Sequence, residues 1–403
     1  MKIGIIKEGK TPPDKRVPLT PSQCALVTNK YPNVEVKVQK SPIRAFSDKK
    51  YIEAGLEVVD DISDCDVIMG VKEVNIDDLI PNKHFFFFSH TIKKQPYNRD
   101  LLRAVLDKKI QLTDYEVLTN EKGLRLIGFG RYAGIVGAYN GFLTYGKKHK
   151  KFDLKPAHQC EDRKEMEGEM SKIKLPDNFK LVMTGRGRVG QGAREIIKLL
   201  KLKEVSPDDF LTQEFDKPVF TQLNVSHYNE RNDGKSFDMS EFFKSGQGHS
   251  STFPRYLKAA DMFIACHFYK DGSPYLFTRE DLKSNDIRTR VVADISCDID
   301  GPVASTIRPS TIADPIYGYD PKSEKETDFN EKDAIAVMAV DNLPCELPKD
   351  ASEDFGNELI KHILPALLKN DPTGIIDRGS ETTKEGKLNK HFSYLQDYVD
   401  GKE

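Results

Sequence analysis

The chain has 403 residues, more than one hydrophobic core usually serves, so two domains are expected. Its 38% hydrophobic and 31% charged residues are typical of a soluble globular protein, and a formal net charge of -2 excludes a global attraction to nucleic acid or an anionic membrane. No apolar run approaches the ~20 residues of a membrane span, and Met1–Ile6 is too short for a secretory signal. We therefore expect a cytoplasmic protein that acts on small molecules, as a monomer or a small homo-oligomer. The six cysteines include no Cys-x-x-Cys pair. Their spacing therefore argues against both a disulfide framework and a metal site.

The first third of the chain has the rhythm of a parallel α/β sheet. Lys2–Ile6 is apolar and leads into a loop, after which Thr20 and Pro21 provide the N-cap and first turn of a helix predicted over Ser22–Lys30. Four more strand-like runs alternate with amphipathic stretches: Val34–Val38, Val67–Val71, Phe85–Ser89 and Gln111–Asp114. Consecutive aromatic residues, Phe85–Phe88, fit a strand that is covered on both faces.

A second α/β unit is predicted further along. Tyr132–His149 has helical character and carries small residues that permit close packing against another backbone. The strand-like runs that follow are Lys180–Thr184, Val219–Leu223, Met262–Cys266 and Val291–Ile295. The remaining predictions are an insertion over Asn229–Ser251, helices over Glu161–Lys174 and Ala351–Leu368, and a surface helix in the charged tail from Thr382. The predicted fold class is therefore α/β, with two Rossmann-like domains that each have a parallel sheet, and a cleft between them.

A glycine-rich loop follows the run Lys180–Thr184. It reads Gly185-Arg186-Gly187-Arg188-Val189-Gly190 and precedes a stretch of helical periodicity. In this context Gly185 allows the tight turn, Gly187 lets a pyrophosphate approach the backbone, and Gly190 lets helix and strand pack closely. The loop predicts a dinucleotide site in which Arg186 and Arg188 can neutralise phosphate.

The residue that holds the adenosine ribose is less well defined. An acidic residue is usual about 20 positions after such a loop, and Glu204, Ser206 and Asp208 lie in that region. If Ser206 takes the position, a 2′-phosphate is not excluded, so NAD and NADP both stay open. Cys266, at the end of a later strand, is a further candidate for contact with the cofactor.

Several phrases resemble the superfamily of alanine dehydrogenase and lysine-forming saccharopine dehydrogenase. In chain order they are Arg16–Pro21, Val71–Glu73, Phe88–Lys93, Tyr115–Glu116 and Gly128–Gly134. Three further phrases are similar to the saccharopine dehydrogenase and lysine-ketoglutarate reductase branch in particular: Ser89–Gln95, Ala293–Asp298 and Ala339–Pro344. The resemblance runs nearly end to end.

This resemblance implies an enzyme that oxidises an amine. Saccharopine, a secondary amine that joins lysine to glutamate, would be oxidised with NAD or NADP to an imine, which water hydrolyses to lysine and 2-oxoglutarate. Reductive condensation is the same path in reverse. Residues 1–140 with 335–403 would form a discontinuous substrate domain, and residues 141–334 the dinucleotide domain.

Amine oxidation needs a base, and the resemblance makes Lys72 and His90 the acid–base pair. Both end an apolar run, where an open α/β sheet places its ligand crevice. A lysine can act as a base near neutrality only if burial or neighbouring cations lower its pKa from about 10.4. We expect Lys72 to act on the substrate amine and His90 to shuttle protons during carbinolamine formation and collapse.

Charged substrate groups need charged partners. Arg16 and Arg125 are the predicted carboxylate contacts, with Arg131 as the alternative to them. Two acids, Glu73 and Glu116, match the family's acidic positions and suit the ammonium group of lysine. The same match makes Lys93 a further substrate contact and puts Asp341 near the nicotinamide side of the cofactor.

Two other functions compete with this interpretation. Alanine dehydrogenase shares Arg16, Lys72 and His90 and aminates a small 2-oxo acid with ammonia, but Glu73 and Glu116 have no evident role with alanine. A non-catalytic dinucleotide-binding protein that senses redox state is the other, and the joint presence of Lys72 and His90 speaks against it.

Overall fold

The computed structural model describes residues 1–402 and divides the chain into two compact units. The first unit combines Met1–Phe129 with the segment that starts at Pro348, and the second is Gly130–Leu347. Within residues 1–402 there are sixteen strands, β1–β16, and fourteen α-helices, α1–α14, both numbered in chain order. The first unit is thus built from two separate stretches of the chain.

A six-stranded parallel sheet forms the centre of the first unit, in the order β3-β2-β1-β4-β5-β6. This is the order of a doubly wound sheet, in which the chain steps outward from β1 in both directions. The strands are β1 (Lys2–Ile5), β2 (Glu35–Gln39), β3 (Glu57–Val59), β4 (Val67–Met69), β5 (His84–Phe87) and β6 (Gln111–Asp114). Every residue of β4 and β5 is buried, as the aromatic run predicts.

Helices cover this sheet. They are α1 (Pro21–Lys30), α2 (Asp48–Glu53), α3 (Arg99–Asp107), α11 (Pro348–Glu358), α12 (Leu364–Leu368), α13 (Ile375–Gly379) and α14 (Gln396–Asp400). The predicted start of α1 is confirmed, because the Thr20 hydroxyl accepts the Gln23 N–H and the Gln23 side chain accepts the Thr20 N–H in a capping box.

The second unit contains an eight-stranded sheet in the order β15-β14-β16-β13-β12-β7-β9-β8. Its strands are β7 (Lys180–Thr184), β8 (Lys203–Glu204), β9 (Val219–Leu223), β12 (Met262–Ala265), β13 (Val291–Asp294), β14 (Ile316–Asp320), β15 (Lys325–Thr327) and β16 (Ile335–Met338). The predicted parallel sheet is confirmed, with an antiparallel pair, β14 and β15, added at one edge. β9 lies between β7 and β8 although β8 precedes it in the chain.

The helices of this unit are α4 (Gly130–His149), α5 (Arg163–Glu169), α6 (Arg188–Leu199), α7 (Pro207–Thr212), α8 (Met239–Lys244), α9 (Pro254–Ala259) and α10 (Arg279–Leu282). The polar insertion is folded: β10 (Asn229–Arg231) pairs antiparallel with β11 (His249–Ser251), and α8 lies between them in the chain. In residues 1–402, no helix combines the length and the hydropathy that a membrane span requires.

The prediction of a surface helix in the tail from Thr382 is wrong. The tail forms a 3-10 turn and the short helix α14, and Leu395 and Tyr398 are fully buried against Leu102. The high charge of this segment masked a few apolar side chains that complete the core of the first unit.

Helices α4 and α6 of the second unit touch backbone to backbone. A Cβ added to Gly134 would lie 1.9 Å from the Val189 carbonyl oxygen, and one added to Gly192 would lie 1.9 Å from the Arg131 carbonyl oxygen. The predicted close packing of the small residues is therefore confirmed, and it fixes the helix that follows the glycine loop.

We expect Gly134→Ala to lower the free energy of unfolding by ~1–3 kcal/mol or more, because the obstructing atoms are backbone and cannot turn aside. Gly168→Ala is the matched control: Gly168 is exposed in α5, and an added Cβ meets nothing within 4 Å. This control should gain ~0.5–1 kcal/mol from higher helix propensity. Thermal unfolding measures both, and an unchanged Tm for Gly134→Ala would contradict the packing.

Candidate functional site

Lys72, Glu73 and His90 lie at one edge of the first unit's sheet. Strands β4 and β5 are parallel neighbours, so the residues just beyond their carboxyl ends meet at the same edge. The pairing continues past the strands, since the Phe88 N–H donates to the Val71 carbonyl at 2.9 Å. Glu73 and His90 are in direct contact, with 2.6 Å between Oε1 and Nδ1.

His90 is held in an uncommon backbone conformation. Its φ of 55° lies in the left-handed region that non-glycine residues rarely adopt. The residues on either side, Ser89 and Thr91, are fully buried. The imidazole stacks on the Phe88 ring, with 6.4 Å between ring centroids. The ring is therefore fixed by a carboxylate at one nitrogen and by an aromatic ring against its face.

Glu73 stays ionised in this environment. Burial alone raises its pKa, but hydrogen bonds from His90, from its own backbone and from Lys10 outweigh burial and lower the pKa to about 2. The Lys10 Nζ lies 3.0 Å from the second carboxylate oxygen. Glu73 is thus an acceptor for His90 across the neutral pH range.

Lys72 has the lowered basicity that a catalytic lysine needs. Burial lowers its pKa most, and the charges of Arg16 and Lys10 lower it further, while Asp14 and Glu73 act in the opposite direction. A depressed pKa makes a neutral amine accessible closer to physiological pH.

The guanidinium of Arg16 is pinned in a buried ion pair. Its Nη2 and Nε lie 2.6 and 3.0 Å from the two carboxylate oxygens of Asp14, and its Cζ lies 4.2 Å from the centroid of the Phe129 ring. Burial raises the pKa of Asp14, but the charge and hydrogen bonds of Arg16 overcome this effect and lower the pKa to about 2. Asp14 was not among the residues expected from the sequence, because a lone acid in a loop carries no pattern.

Three other predicted substrate contacts lie together in a looser cluster. The Glu116 carboxylate is 3.9 Å from the Lys93 ammonium and 3.8 Å from the Arg125 guanidinium. Lys93 and Arg125 are exposed, and Glu116 is half-buried. Arg131, the alternative carboxylate contact, belongs to the second unit and forms two bonds of 2.7 and 2.8 Å with Glu195.

Glu8 supports the backbone at Lys72, and the sequence reasoning missed it. Its two carboxylate oxygens accept the N–H groups of Val71 at 2.7 Å and Lys72 at 2.9 Å. Burial raises the pKa of Glu8 to about 8, although these hydrogen bonds act against the shift. The one available signal was its place just past the first strand.

The glycine loop of the second unit has the geometry that a pyrophosphate requires. Gly185 has a φ of 81°, and a Cβ there would lie 2.2 Å from the Cys266 carbonyl oxygen. A Cβ on Gly190 would lie 2.2 Å from the Gly185 carbonyl oxygen, which shows how tightly the turn closes. At Gly187 an added Cβ meets nothing within 4 Å, so the backbone is open to a ligand. Together with the start of α6 at Arg188, these residues fit dinucleotide phosphates.

Glu204 and Ser206, the candidates for contact with the ribose, already bond to other groups of the protein. Arg194 binds both carboxylate oxygens of Glu204, and the Ser206 hydroxyl caps α7 by accepting the Asp209 N–H at 3.1 Å. The neighbour of β7 on the side of β8 is β9, and Asn224 follows it. Ser206 therefore lies beyond the outer strand β8, and its contact with a cofactor stays a prediction.

The other predicted cofactor positions lie past β12 and β16. Cys266 is buried, and burial raises the pKa of its thiol, while Asp341 is exposed. His267, which the sequence reasoning missed, is bound through Nδ1 to the Thr184 hydroxyl at 3.0 Å, and burial lowers its pKa to about 4. In the part of the chain that the structure describes, no group of three or more His, Cys, Asp or Glu side chains is arranged to hold a metal ion.

Comparison with known proteins defines the class of this fold. Residues 4–136 match the family model of the alanine dehydrogenase/PNT N-terminal domain. The fold is similar to that of a solved L-alanine dehydrogenase, with a TM-score of 0.67 at 17% sequence identity over 99% of both chains. The chain therefore has the α/β fold of the alanine dehydrogenase class.

Sequence comparison with characterised proteins identifies more specific relatives within this class. The lysine-forming, NAD(+) saccharopine dehydrogenase of Neurospora crassa is 27% identical over 353 residues, which cover 83% of this chain and 82% of that protein. The alpha-aminoadipic semialdehyde synthase of Arabidopsis thaliana is 29% identical over 403 residues, 89% of this chain but 37% of that protein. The chain thus spans less than half the length of that relative. The predicted resemblance is confirmed, and the chain is related to saccharopine dehydrogenases.

The raised pKa of Glu8 makes the stability of the fold depend on pH. A carboxyl that titrates near 4.5 when unfolded and near 8 when folded stabilises the fold fully below pH 4.5, and this contribution is lost as the pH rises to 8. We therefore expect Tm to fall between pH 5 and pH 8, and to fall by several degrees less in Glu8→Gln. Thermal unfolding at both pH values measures the difference, and equal slopes for the two proteins would refute the assignment.

Proposed function

We propose that the chain is an NAD(P)-dependent oxidoreductase that interconverts saccharopine with lysine and 2-oxoglutarate. The observation that carries the proposal is Lys72, with its depressed pKa, next to the Glu73–His90 pair at one sheet edge. The relatives' names support a dehydrogenase of this family, and the charged residues around the pair support the choice of substrate. In this proposal the first unit binds the substrate and the second unit binds the dinucleotide.

Lys72 acts on the substrate nitrogen. The nitrogen must lose its proton before a hydride leaves the adjacent carbon, and a lysine whose pKa is lowered by burial can accept that proton. In the reverse direction the same ammonium returns the proton. The Glu8 carboxyl group, whose oxygen accepts the backbone N–H of Lys72, keeps the residue in place during the exchange.

His90 moves protons during addition and loss of water. Because Glu73 is ionised, it accepts the hydrogen on Nδ1, and this leaves Nε2 to take a proton from the attacking water or return it to the departing oxygen. Water adds to the imine to form a carbinolamine, whose collapse breaks the C–N bond and yields the amine and the oxo acid.

The charged ends of the substrate suit the surrounding side chains. We assign Arg16 and Arg125 to carboxylates, with Lys93 as a further cation. We assign Glu116 to the distal ammonium of the lysine portion, because Glu73 already accepts hydrogen bonds from His90 and Lys10. Glu73 then serves mainly to orient His90.

When bound, NAD or NADP would supply the hydride acceptor for oxidation of saccharopine and the hydride donor for the reverse reaction. Its pyrophosphate would lie on the loop Gly185–Gly190, with Arg186 and Arg188 as counter-charges and the start of α6 beneath it. Cys266, Asp341 and Ser206 stay as predicted further contacts. The cytoplasmic location likewise stays a prediction.

Purified protein should oxidise reduced dinucleotide in the presence of lysine plus 2-oxoglutarate, followed by absorbance of the reduced nicotinamide. Lys72→Met should lower kcat by roughly a hundredfold, the order expected for loss of a general acid–base group, with little change in dinucleotide affinity. Lys49→Met, an exposed lysine of α2, is the matched control and should leave the rate unchanged.

Activity with pyruvate and ammonia instead would replace the saccharopine assignment with an alanine dehydrogenase function. Dinucleotide binding without turnover on any pair of amine and oxo acid would favour the redox sensor.

The surroundings of β9 favour acceptance of a 2′-phosphate. Asn224, not an acid, follows the strand that adjoins β7. Burial lowers the pKa of His227, and the charges of Arg186 and Arg255 lower it further, whereas the charge of Asp208 raises it. Both guanidinium groups therefore lie near the end of β9. Arg255 also donates to the His227 carbonyl at 2.8 Å. Guanidinium groups suit phosphate oxygens, whereas a ribose hydroxyl is normally held by a carboxylate.

We therefore expect NADPH to bind at least as tightly as NADH, as measured by titration calorimetry. Arg255→Ala should weaken NADPH binding by about tenfold, or ~1.4 kcal/mol, and leave NADH binding unchanged. Tighter binding of NADH than of NADPH to the unaltered protein would contradict the assignment.

A further inference from the structure

Two carboxyl groups from distant parts of the chain, Asp114 and Glu381, meet beside the turn that carries His90. Both are fully buried, as are Ser89 and Thr91 on either side of the histidine. We propose that Glu381 is a positioning residue for His90: its protonated carboxyl, together with ionised Asp114, locks the turn Ser89–Thr91. The proposal rests on the role given to His90 above.

The contacts form a closed cluster of oxygen atoms. The Asp114 Oδ2 accepts the Ser89 N–H at 2.9 Å and the Ser89 hydroxyl at 2.6 Å. The Ser89 oxygen also lies 3.2 Å from the Glu381 Oε1 and 2.7 Å from the Thr91 hydroxyl. The Thr91 hydroxyl in turn donates to the Glu381 Oε2.

A count of hydrogens favours a proton on one of the acids. The four oxygen–oxygen contacts have two hydroxyl hydrogens between them, one from Ser89 and one from Thr91. Ser89 donates to Asp114 and Thr91 donates to Glu381, which leaves two contacts without a hydrogen: the one between the Ser89 oxygen and the Glu381 Oε1, and the one between the Ser89 and Thr91 oxygens. A carboxyl proton on Glu381 supplies the third bond.

Asp114 is the better choice for the charged member of the pair. Besides the two Ser89 donors, its Oδ1 accepts the Glu116 N–H at 2.6 Å, so three donors stabilise a negative charge there. The Glu381 carboxyl contacts the Ser89 and Thr91 hydroxyls and also faces the Asp114 carboxyl, and this contact between two acids raises the pKa of Glu381. The proton therefore belongs to Glu381.

The electrostatic surroundings agree with this division. Titratable groups beside the pair include Glu116 and Tyr115 near Asp114, and Tyr394 and Tyr398 near Glu381. The Lys94 ammonium lies over the Tyr394 ring and the Arg99 guanidinium over the Tyr398 ring. Burial raises the pKa of both carboxyls, and the charge of Asp114 raises that of Glu381 further. Both effects favour the form of the pair that keeps one proton.

The cluster matters for His90 because that residue is in the left-handed region, with a φ of 55°. A strained residue keeps its conformation only if its neighbours are fixed. Ser89 and Thr91 are fixed by side chains of β6 and of the C-terminal segment, whose own backbone is tied by the Glu381 N–H to the Leu112 carbonyl at 2.7 Å. The position of the His90 ring beside Glu73 thus depends on Glu381, which acts through Ser89 and Thr91.

The test compares Glu381→Gln, Glu381→Leu and an exposed control, Glu385→Leu, in the full chain. The readouts are kcat and KM, dinucleotide affinity, and the imidazole ¹⁵N NMR resonances of His90, assigned with His90→Asn. The Gln amide can donate to Ser89 and accept from Thr91, so this variant should retain kcat and the His90 resonances. The Leu variant should shift those resonances and lose at least about tenfold in kcat, with unchanged dinucleotide affinity.

A pH series adds an independent readout. A carboxyl whose folded pKa is raised stabilises the fold fully below its unfolded pKa of about 4.5, and loses that contribution as the pH rises. The Tm of the unaltered protein should therefore fall relative to that of Glu381→Gln between pH 5 and pH 8. The Glu385→Leu control should follow the unaltered protein.

Unchanged His90 resonances in Glu381→Leu, or equal damage from Gln and Leu, would overturn the proposal. If the Leu variant does not fold, Thr91→Val replaces it, since it removes the donor to Glu381 at constant size and should shift His90 in the same direction. A lack of turnover in the unaltered protein would refute the proposed function, whereas the resonances and Tm values would still decide the role of Glu381.

Discussion

Parallel pairing of β4 with β5 is the constraint on which the first unit's site depends. Two buried strands that run side by side must release their chains at the same edge, and the residues just beyond that edge include Lys72, Glu73 and His90. The register of this pair joins Val67 to His84, Ile68 to Phe85 and Met69 to Phe86, which aligns the ends of the two strands. Core packing and chemistry are thus coupled through one pair of strands.

The charged side chains at this edge of the sheet are stabilised by ion pairs and hydrogen bonds to one another rather than by contact with water. Asp14 holds Arg16, and Glu73 holds His90, so that each basic group has a fixed acid beside it. Lys72 is the exception, since two neighbouring cations and burial reduce its affinity for protons. The same surroundings therefore keep Asp14 and Glu73 ionised and make Lys72 a weaker base.

The sequence was sufficient for the fold class, the glycine loop and the edge that carries Lys72 and His90, because these depend on local patterns: apolar runs, a turn with glycines, and polar residues at strand ends. The sequence did not indicate the roles of four acids, and the reason is physical. They are Glu8, Asp14, Asp114 and Glu381. Each is an isolated acid whose importance arises from a partner distant in sequence or from burial, and neither leaves a periodic signal. The buried tail was misread for a related reason, since its many charges concealed Leu395 and Tyr398.

The placement of β9 between β7 and β8 has a consequence for how coenzyme use is inferred in proteins of this type. Motif rules assume that the next strand in the chain is also the next strand in the sheet, and they search for the ribose-reading residue at a fixed spacing after the glycines. Here that spacing leads to an outer strand whose acid is neutralised by Arg194. In the coenzyme site proposed above, Asn224 and His227 at the end of β9 are residues to examine beside those in this interval, and attempts to redesign the preference for NAD or NADP should include them.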